Sequence, residues 1–212
     1  MNKEIILWDW NGTLLDDADI CLQGMNTLLK KRNIPALDMI RYREIFTFPV
    51  RDYYEAAGFD FSIEPFETPA EEYIVHYKRL LPLAGLFPDA REILGALRQK
   101  GYRQFILSAM EKNALLKSVK DLEVDEFFDD ICGLEDNLAF SKAHLGHRLF
   151  EREGLDPQKT IMVGDTLHDA EVASQLGIDM VFISRGHQSL ERLSHNGNQV
   201  FPDLTSFCKY LF

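Results

Sequence analysis

Four short apolar runs constrain the fold of this chain more than any other feature. They are Ile5-Ile6-Leu7-Trp8, Phe105-Ile106-Leu107, Ile161-Met162-Val163 and Met180-Val181-Phe182-Ile183. Each is rich in large or β-branched residues and apolar without alternation, as a parallel strand covered on both faces must be. Stretches of helical spacing lie between them. Ala90, Ile93, Leu94 and Leu97 share one face, and the pattern stops at Lys100-Gly101. Ala170, Ala173 and Leu176 repeat in the same way and stop at Gly177. A cation in the last turn and a glycine just beyond it are helix stop signals. Strands alternating with helices predict an α/β fold with a doubly wound parallel sheet, a Rossmann-like core.

The alternation breaks once. Between Asp17 and Leu83 the spacing is helical throughout, with Ile20, Gly24, Leu28 and Leu29 on one face and Tyr73, Ile74, Tyr77 and Leu81 on another. Pro82-Leu83-Ala84-Gly85 reads as a hinge back to the core. The expected organisation is a core of residues 1–16 and 84–212 with a small all-helical domain, 17–83, inserted after the first strand. Such an insert sits over the C-terminal end of that strand, where open parallel sheets bind their ligands. The length of 212 residues accommodates both parts.

The chemistry concentrates at strand ends. Asp9 follows the first run directly and opens Asp9-Trp10-Asn11-Gly12-Thr13-Leu14-Leu15-Asp16. A carboxylate at the end of a buried strand is costly unless it is paired or used. Ser108 follows the second run, Gly164-Asp165-Thr166-Leu167-His168-Asp169 follows the third, and Lys142 stands between them in Ser141-Lys142-Ala143. Asp, Ser and a pair of Asp residues on three strands of one sheet can converge.

These four motifs, in this order, resemble those of the haloacid dehalogenase superfamily: DxDGT, a strand-ending Ser or Thr, a Lys, and GDxxxD. The helical insert lies where that superfamily places its cap. Leu86-Phe87-Pro88-Asp89-Ala90, Gly101-Tyr102 and Ser108 are similar to the phosphoglycolate phosphatase and β-phosphoglucomutase branch. The resemblance implies that Asp9 is a nucleophile forming an aspartyl phosphate. It implies that Mg²⁺ is held by Asp9, Asp165 and the Asn11 backbone carbonyl, with Asp169 reaching the metal through water or orienting Lys142. Ser108 and Lys142 would bind the phosphoryl group, with Thr13 and Ala109 beside it. A loop of the cap touches substrate in similar enzymes, which makes Arg51, after Phe48-Pro49, a candidate fork for a carboxylate or phosphate. The activity implied is a Mg²⁺-dependent phosphatase of a small phosphorylated metabolite, phosphoglycolate phosphatase-like.

One position departs from the pattern. The second aspartate of the first motif, general acid and base in the family, is Asn11 here. An amide hydrogen-bonds but exchanges no proton near neutral pH. Either another group serves (His168 and Asp16 are the neighbours in sequence), or the reaction needs little proton help, or turnover is feeble. A phosphonate hydrolase and a weakly active, regulatory phosphate-binding protein are the alternatives this leaves. Trp10, beside Asp9, is a candidate wall of the pocket.

Charge and cysteine usage bound the surroundings. The formal net charge of −11 repels nucleic acid and anionic membranes, so neither is an expected partner. The opening MNKEIILWDWNG lacks the long apolar centre of a signal peptide, and Cys21, Cys132 and Cys208 have no CxxC spacing. A cytoplasmic location with reduced thiols is the expectation. No feature sets an oligomeric state.

Overall fold

The computed structural model describes residues 2–135 and 141–212. Strand β1 is Ile5–Trp8 and β2 the two residues Leu15–Asp16. Four helices follow: α1 (Ala18–Lys31), α2 (Met39–Ile45), α3 (Val50–Ala57) and α4 (Glu67–Leu80). The chain returns through β3 (Gly85–Leu86) to α5 (Ala90–Gln99), β4 (Arg103–Glu111), α6 (Lys112–Asp121) and β5 (Asp130–Leu134). Then come α7 (Lys142–Glu153), β6 (Thr160–Gly164), α8 (Leu167–Leu176) and β7 (Asp179–Ile183). Helix α9 (Leu190–Ser194), β8 (Gln199–Phe201) and α10 (Leu204–Leu211) end it.

Six strands pair in the order β5-β4-β1-β6-β7-β8, all parallel. The fold is therefore the α/β, doubly wound sheet expected from the apolar runs. Alternate residues feed two cores, because successive strand side chains point to opposite faces. Ile6, Trp8, Ile106 and Val163 pack with Leu94 and Leu97 of α5 and Phe207 of α10. Ile5, Leu7, Phe105 and Met162 pack with Leu149 of α7 and Val172 and Leu176 of α8. The chain lays down β1, β4 and β5 on one side and then crosses β1 to add β6, β7 and β8. That reversal beside β1 opens the crevice that open α/β sheets use for ligands.

Helices α1–α4 form a third cluster of their own, with Met25, Leu28 and Leu29 of α1 against Tyr42, Ile45, Tyr53 and Tyr54. The segment leaves and rejoins the core side by side, since β2 and β3 pair antiparallel, Leu15 opposite Leu86 and Asp16 opposite Gly85. This two-residue ribbon is too short to register as a periodic run in the sequence. Strands β5 and β8 were also absent from the expected set. Each lies at an edge of the sheet and is only partly buried, so its sequence is not continuously apolar. Strand β4 runs past the Phe105–Leu107 run to Glu111, with its register to β5 shifted after Leu107. Ser108 thus sits inside β4, at the start of the irregular part, rather than after its end.

Trp8 carries a polar tie across the sheet. Its indole Nε1 donates to Gln104 Oε1 at 3.1 Å, and Gln104 Nε2 donates to the Leu94 carbonyl at 2.9 Å. All of Trp8 and Gln104 is buried. Trp8→Phe keeps an aromatic ring but strands the Gln104 acceptor, which costs about 1–3 kcal/mol, and the smaller ring leaves a cavity that adds to the loss. Urea denaturation should show that loss, and a change below about 0.5 kcal/mol would show that the tie contributes little.

Candidate active site

Asp9 leaves β1 with its backbone N–H donating to the Val163 carbonyl of β6 at 2.8 Å. Its side chain is therefore fixed at the C-terminal edge of the sheet, between two strand ends. Lys142, the first residue of α7, reaches it there: Nζ donates to Asp9 Oδ1 and to Asp169 Oδ1, the latter at 2.5 Å. Asp169 is held in turn by the N-terminus of α8, where Thr166 N and Oγ1 donate to its Oδ2 at 3.0 and 2.8 Å. Asp165 follows β6 and accepts from His187 N at 2.5 Å and Thr13 Oγ1 at 3.3 Å. Asp9, Asp165, Asp169 and Lys142 are all buried.

The carboxylates Asp9, Asp165 and Asp169 offer oxygens within 4.8 Å of one another. Burial, with the charges of Asp169 and Asp165 beside it, pushes the Asp9 carboxyl up to about 8 despite the opposing pull of Lys142. Burial and the charges of Asp169 and Asp17 raise Asp165 to about 6 against the pull of His187. Asp169 stays below the ordinary carboxylate value. Burial alone would raise it, but the Lys142 charge and the hydrogen bonds of Lys142 and Thr166 outweigh that. Lys142 is held protonated, since the charges of Asp169 and Asp9 outweigh its desolvation. The cluster is short of positive charge, and its donors are hard oxygens. A divalent oxygen-seeking cation such as Mg²⁺ fits that set.

Close backbone approach makes this packing feasible. Gly12 has φ +72°, and a Cβ there would stand 2.3 Å from Asp165 Oδ2. A Cβ on Gly186 would stand 2.1 Å from the same oxygen. Glycine at both positions lets two loops close over one carboxylate.

Asn11 joins a second network that the sequence reading missed. Its Nδ2 donates to Asp17 Oδ2 at 2.8 Å and to Tyr77 Oη at 2.7 Å. Its Oδ1 thereby faces Ser108, whose Oγ lies 3.5 Å away and accepts from Met110 N at 3.1 Å. Asp17 Oδ1 also receives Gly12 N at 2.9 Å and lies 3.2 Å from His187 Nε2. Tyr77 Oη donates to Asp17 Oδ2 at 2.9 Å, and Cys21 Sγ approaches it at 3.5 Å. Burial would raise Asp17, but the His187 charge and the hydrogen bonds of His187, Asn11 and Tyr77 hold it below the ordinary range. His187 is the counterpart. Desolvation opposes its charge, yet Asp17, then Asp165 and Asp9, lift it to about 9. Its Nδ1 pairs with Tyr42 Oη at 2.7 Å. The available signals were Asp17 in tandem with Asp16, and Gly186-His187 shortly after the last apolar run.

A cavity of about 260 Å³ lies over these groups, between the sheet edge and the helical segment. Asp9, Asn11, Ser108, Ala109, Lys142, Asp165 and Asp169, all expected at the site, line it together with His168. Thr13 does not line it but is buried behind, on Asp165. Arg51 stands elsewhere: exposed, it donates to Glu55 and lies over the Phe61 ring, 4.9 Å from its centroid. Trp10 is no pocket wall. It is fully buried in the α5 face of the core, with Nε1 on Ser118 Oγ at 3.3 Å. Asp16 is exposed on β2.

This chain belongs to the haloacid dehalogenase-like hydrolase family, which its residues 6–183 match. It is 26% identical over 214 residues to a 5'-nucleotidase of Pseudomonas aeruginosa, spanning 97% of this chain and 94% of that one. A phosphoglycolate phosphatase of Colwellia psychrerythraea is 26% identical over 207 residues, spanning 93% and 91%. Among solved structures, a haloacid dehalogenase-like hydrolase of Streptococcus pneumoniae shares the fold with a TM-score of 0.83. It has 24% identity and covers 100% of this chain and 99% of its own. No helix among the described residues is long and apolar enough to cross a membrane.

The raised groups set a pH dependence. A group whose folded value exceeds its unfolded value contributes stability that is complete below the unfolded value and lost as pH rises through the folded one. For Asp9 that window runs from 3.8 to about 8, and for His187 from 6.5 to about 9. Metal-free protein should therefore lose thermal stability between pH 6.5 and about 8.5. Saturating Mg²⁺, which binds the deprotonated carboxylates, should flatten the Asp9 share of the fall. Thermal denaturation across that range reads both, and a Tm that rises with pH in the metal-free protein would contradict the charge balance.

Proposed function

We propose that this chain is a Mg²⁺-dependent phosphatase of a small phosphorylated compound, working through an aspartyl phosphate on Asp9. The observation that carries the reading is the buried Asp9–Lys142–Asp169 chain at the sheet edge, opening on a cavity. Asp9, Asp165 and the Asn11 backbone carbonyl would hold the metal. Asp169 takes Lys142 on one oxygen and Thr166 on the other, so its part is to hold Lys142 and to reach the metal through water. Bound Mg²⁺ shields the phosphoryl charge and makes an otherwise anionic site receptive to an anion.

The residues divide the work. Lys142 fixes Asp9 and neutralises charge on the phosphoryl oxygens, and Ser108 donates to another of them. Asp9 attacks phosphorus, and the P–O bond to the leaving group breaks with its electron pair going to the departing oxygen. Water then attacks the phosphorus of the aspartyl phosphate, releasing phosphate and restoring the Asp9 carboxylate. Asn11 is turned so that its NH₂ is spent on Asp17 and Tyr77 and its oxygen faces Ser108. It can accept a hydrogen bond from the attacking water and has no proton for the leaving group.

Turnover separates this from a binding protein without activity. Asp9→Asn should abolish hydrolysis of a phosphate monoester, and chelation should do the same reversibly on adding back Mg²⁺. An Asp9→Asn variant retaining most of the rate would overturn the covalent mechanism. Asn11→Asp places a second carboxyl 2.8 Å from Asp17, and two carboxyls that close share one proton. That proton serves the leaving group. The variant should raise turnover of alkyl phosphates by up to about 10²–10⁴-fold. An unchanged rate would mean that another group already supplies the proton, with His168→Ala as the variant that checks it.

A further inference from the structure

We propose that the substrate of this site is a small aryl phosphate, a monoester whose leaving group is a single uncharged aromatic ring bearing the ester oxygen. The proposal deepens the phosphatase reading and rests on it. Three observations point the same way.

The first is the wall that the leaving group meets. The cavity that holds Asp9 and Ser108 is also lined by Phe46 and Phe48 from the loop after α2, by Tyr73, Ile74 and Tyr77 from α4, and by Met110 from β4. Their rings are arranged as faces and edges. Phe46 meets Phe48 edge-on with centroids 5.7 Å apart, Phe48 stacks on His168 at 4.8 Å, and Tyr73 lies parallel to Tyr77 at 6.1 Å. Such walls take an inserted ring by stacking and edge contacts, and methionine sulfur adds to them. The volume, about 260 Å³, is enough for a phosphoryl group with one ring.

The second is the placement of cations. A carboxylated alkyl phosphate needs a cation at its far end, and the arginines near the cavity are committed elsewhere. Arg51 is exposed on Glu55 and Phe61, and Arg43 donates to the carbonyls of Arg185 and Gly186. Among the described residues, the lysines lining the cavity are Lys142, held by Asp9 and Asp169, and Lys78, exposed with Glu111 within its field. A second carboxylate entering here would find one lysine outside the Asp9 cluster, the exposed Lys78, with the acids Glu111 and Asp17 lining the same cavity among aromatic carbon. An uncharged ring loses nothing by that surrounding.

The third is Asn11. With its NH₂ bound to Asp17 and Tyr77, it presents only an oxygen to the cavity. The leaving oxygen then departs carrying the electron pair of the broken P–O bond and takes its proton from water afterwards. A phenol, with a pKa near 10, tolerates this far better than an aliphatic alcohol. The apolar ring wall and the missing donor thus select the same class of ester.

The test has two arms, both with Mg²⁺ present. In the turnover arm, kcat/KM for phenyl phosphate should exceed that for 2-phosphoglycolate by at least about 10²-fold. In the binding arm, benzylphosphonate and 3-phosphonopropionate compete with the substrate and have no leaving group, so only the wall is read. Benzylphosphonate should bind at least about tenfold more tightly, and Phe48→Ala should narrow that ratio. Equal or reversed inhibition constants, or phosphoglycolate turned over as fast as phenyl phosphate, would overturn the assignment while leaving the phosphatase reading intact. A phosphotyrosyl peptide hydrolysed as well as phenyl phosphate would move the ring onto a polypeptide and overturn the small-molecule assignment. Hydrolysis of neither ester, with neither phosphonate bound, would overturn both this and the phosphatase reading.

Discussion

The site is built around a charge problem: three buried carboxylates at one sheet edge share a single ammonium. Asp9, Asp165 and Asp169 sit within one ion's reach, and Lys142 bridges two of them. Buried charges are tolerated only when paired and hydrogen-bonded. Every neighbouring choice answers that demand. Thr166 caps α8 with its backbone and hydroxyl on Asp169, His187 gives its backbone N–H to Asp165, and Gly12 and Gly186 bring two loops against the same oxygen. What the protein does not neutralise is negative charge that a divalent cation would balance, and this residual imbalance sets the place apart from a simple salt bridge.

The helical segment is coupled to that edge through Asp17. Its carboxylate takes hydrogen bonds from the loop after β1 (Asn11, Gly12), from α4 (Tyr77) and from the residues after β7 (His187), while His187 reaches on to Tyr42 of α2. Further ties run along the same seam, with Arg43 on the carbonyls of Arg185 and Gly186 and Gln188 on the carbonyl of Phe46. The cavity wall made by Phe46, Phe48 and Tyr77 is therefore positioned by the same network that positions Asn11. On the proposed reading, leaving-group recognition and the orientation of the loop after β1 would share one set of hydrogen bonds.

The sequence made the central sheet and the convergence of the strand-end residues on one cavity legible, because both follow from strongly patterned residues. Buried strands β1, β6 and β7 are uninterrupted apolar runs, and Asp9, Ser108, Lys142, Asp165 and Asp169 stand at recognisable distances from them. The partly buried edge strands β5 and β8 and the two-residue β2–β3 ribbon carry too little periodicity to be read. Orientation was less legible still. Trp10 neighbours Asp9 in sequence but turns into the core, and Arg51 follows the cavity loop but turns to Glu55. Asp17 and His187 are 170 residues apart, and only the crossing of the chain over β1 brings them together.

Asn11 and Asp17 are best understood as a matched pair. Considered alone, an amide at position 11 is a lost acid. Asp17, however, is ionised and buried, and Asn11 Nδ2 is one of the donors that keep it so. A carboxylate at position 11 would replace that donor with a second negative charge at hydrogen-bond distance, beside Tyr77 and against the pull of His187. The amide thus permits a hub that ties the helical segment to the loop after β1, and on the proposed mechanism it does so at the cost of a proton for the leaving group. Such an exchange is tolerable where the leaving oxygen is acidic enough to depart unaided, and it would be ruinous for an ester of an ordinary alcohol. On the proposed aryl phosphate reading, the departure from the family pattern at position 11 and the aromatic wall of the cavity are two sides of one adaptation: loss of the acid would narrow the esters that react, and the wall would gather the kind that remains.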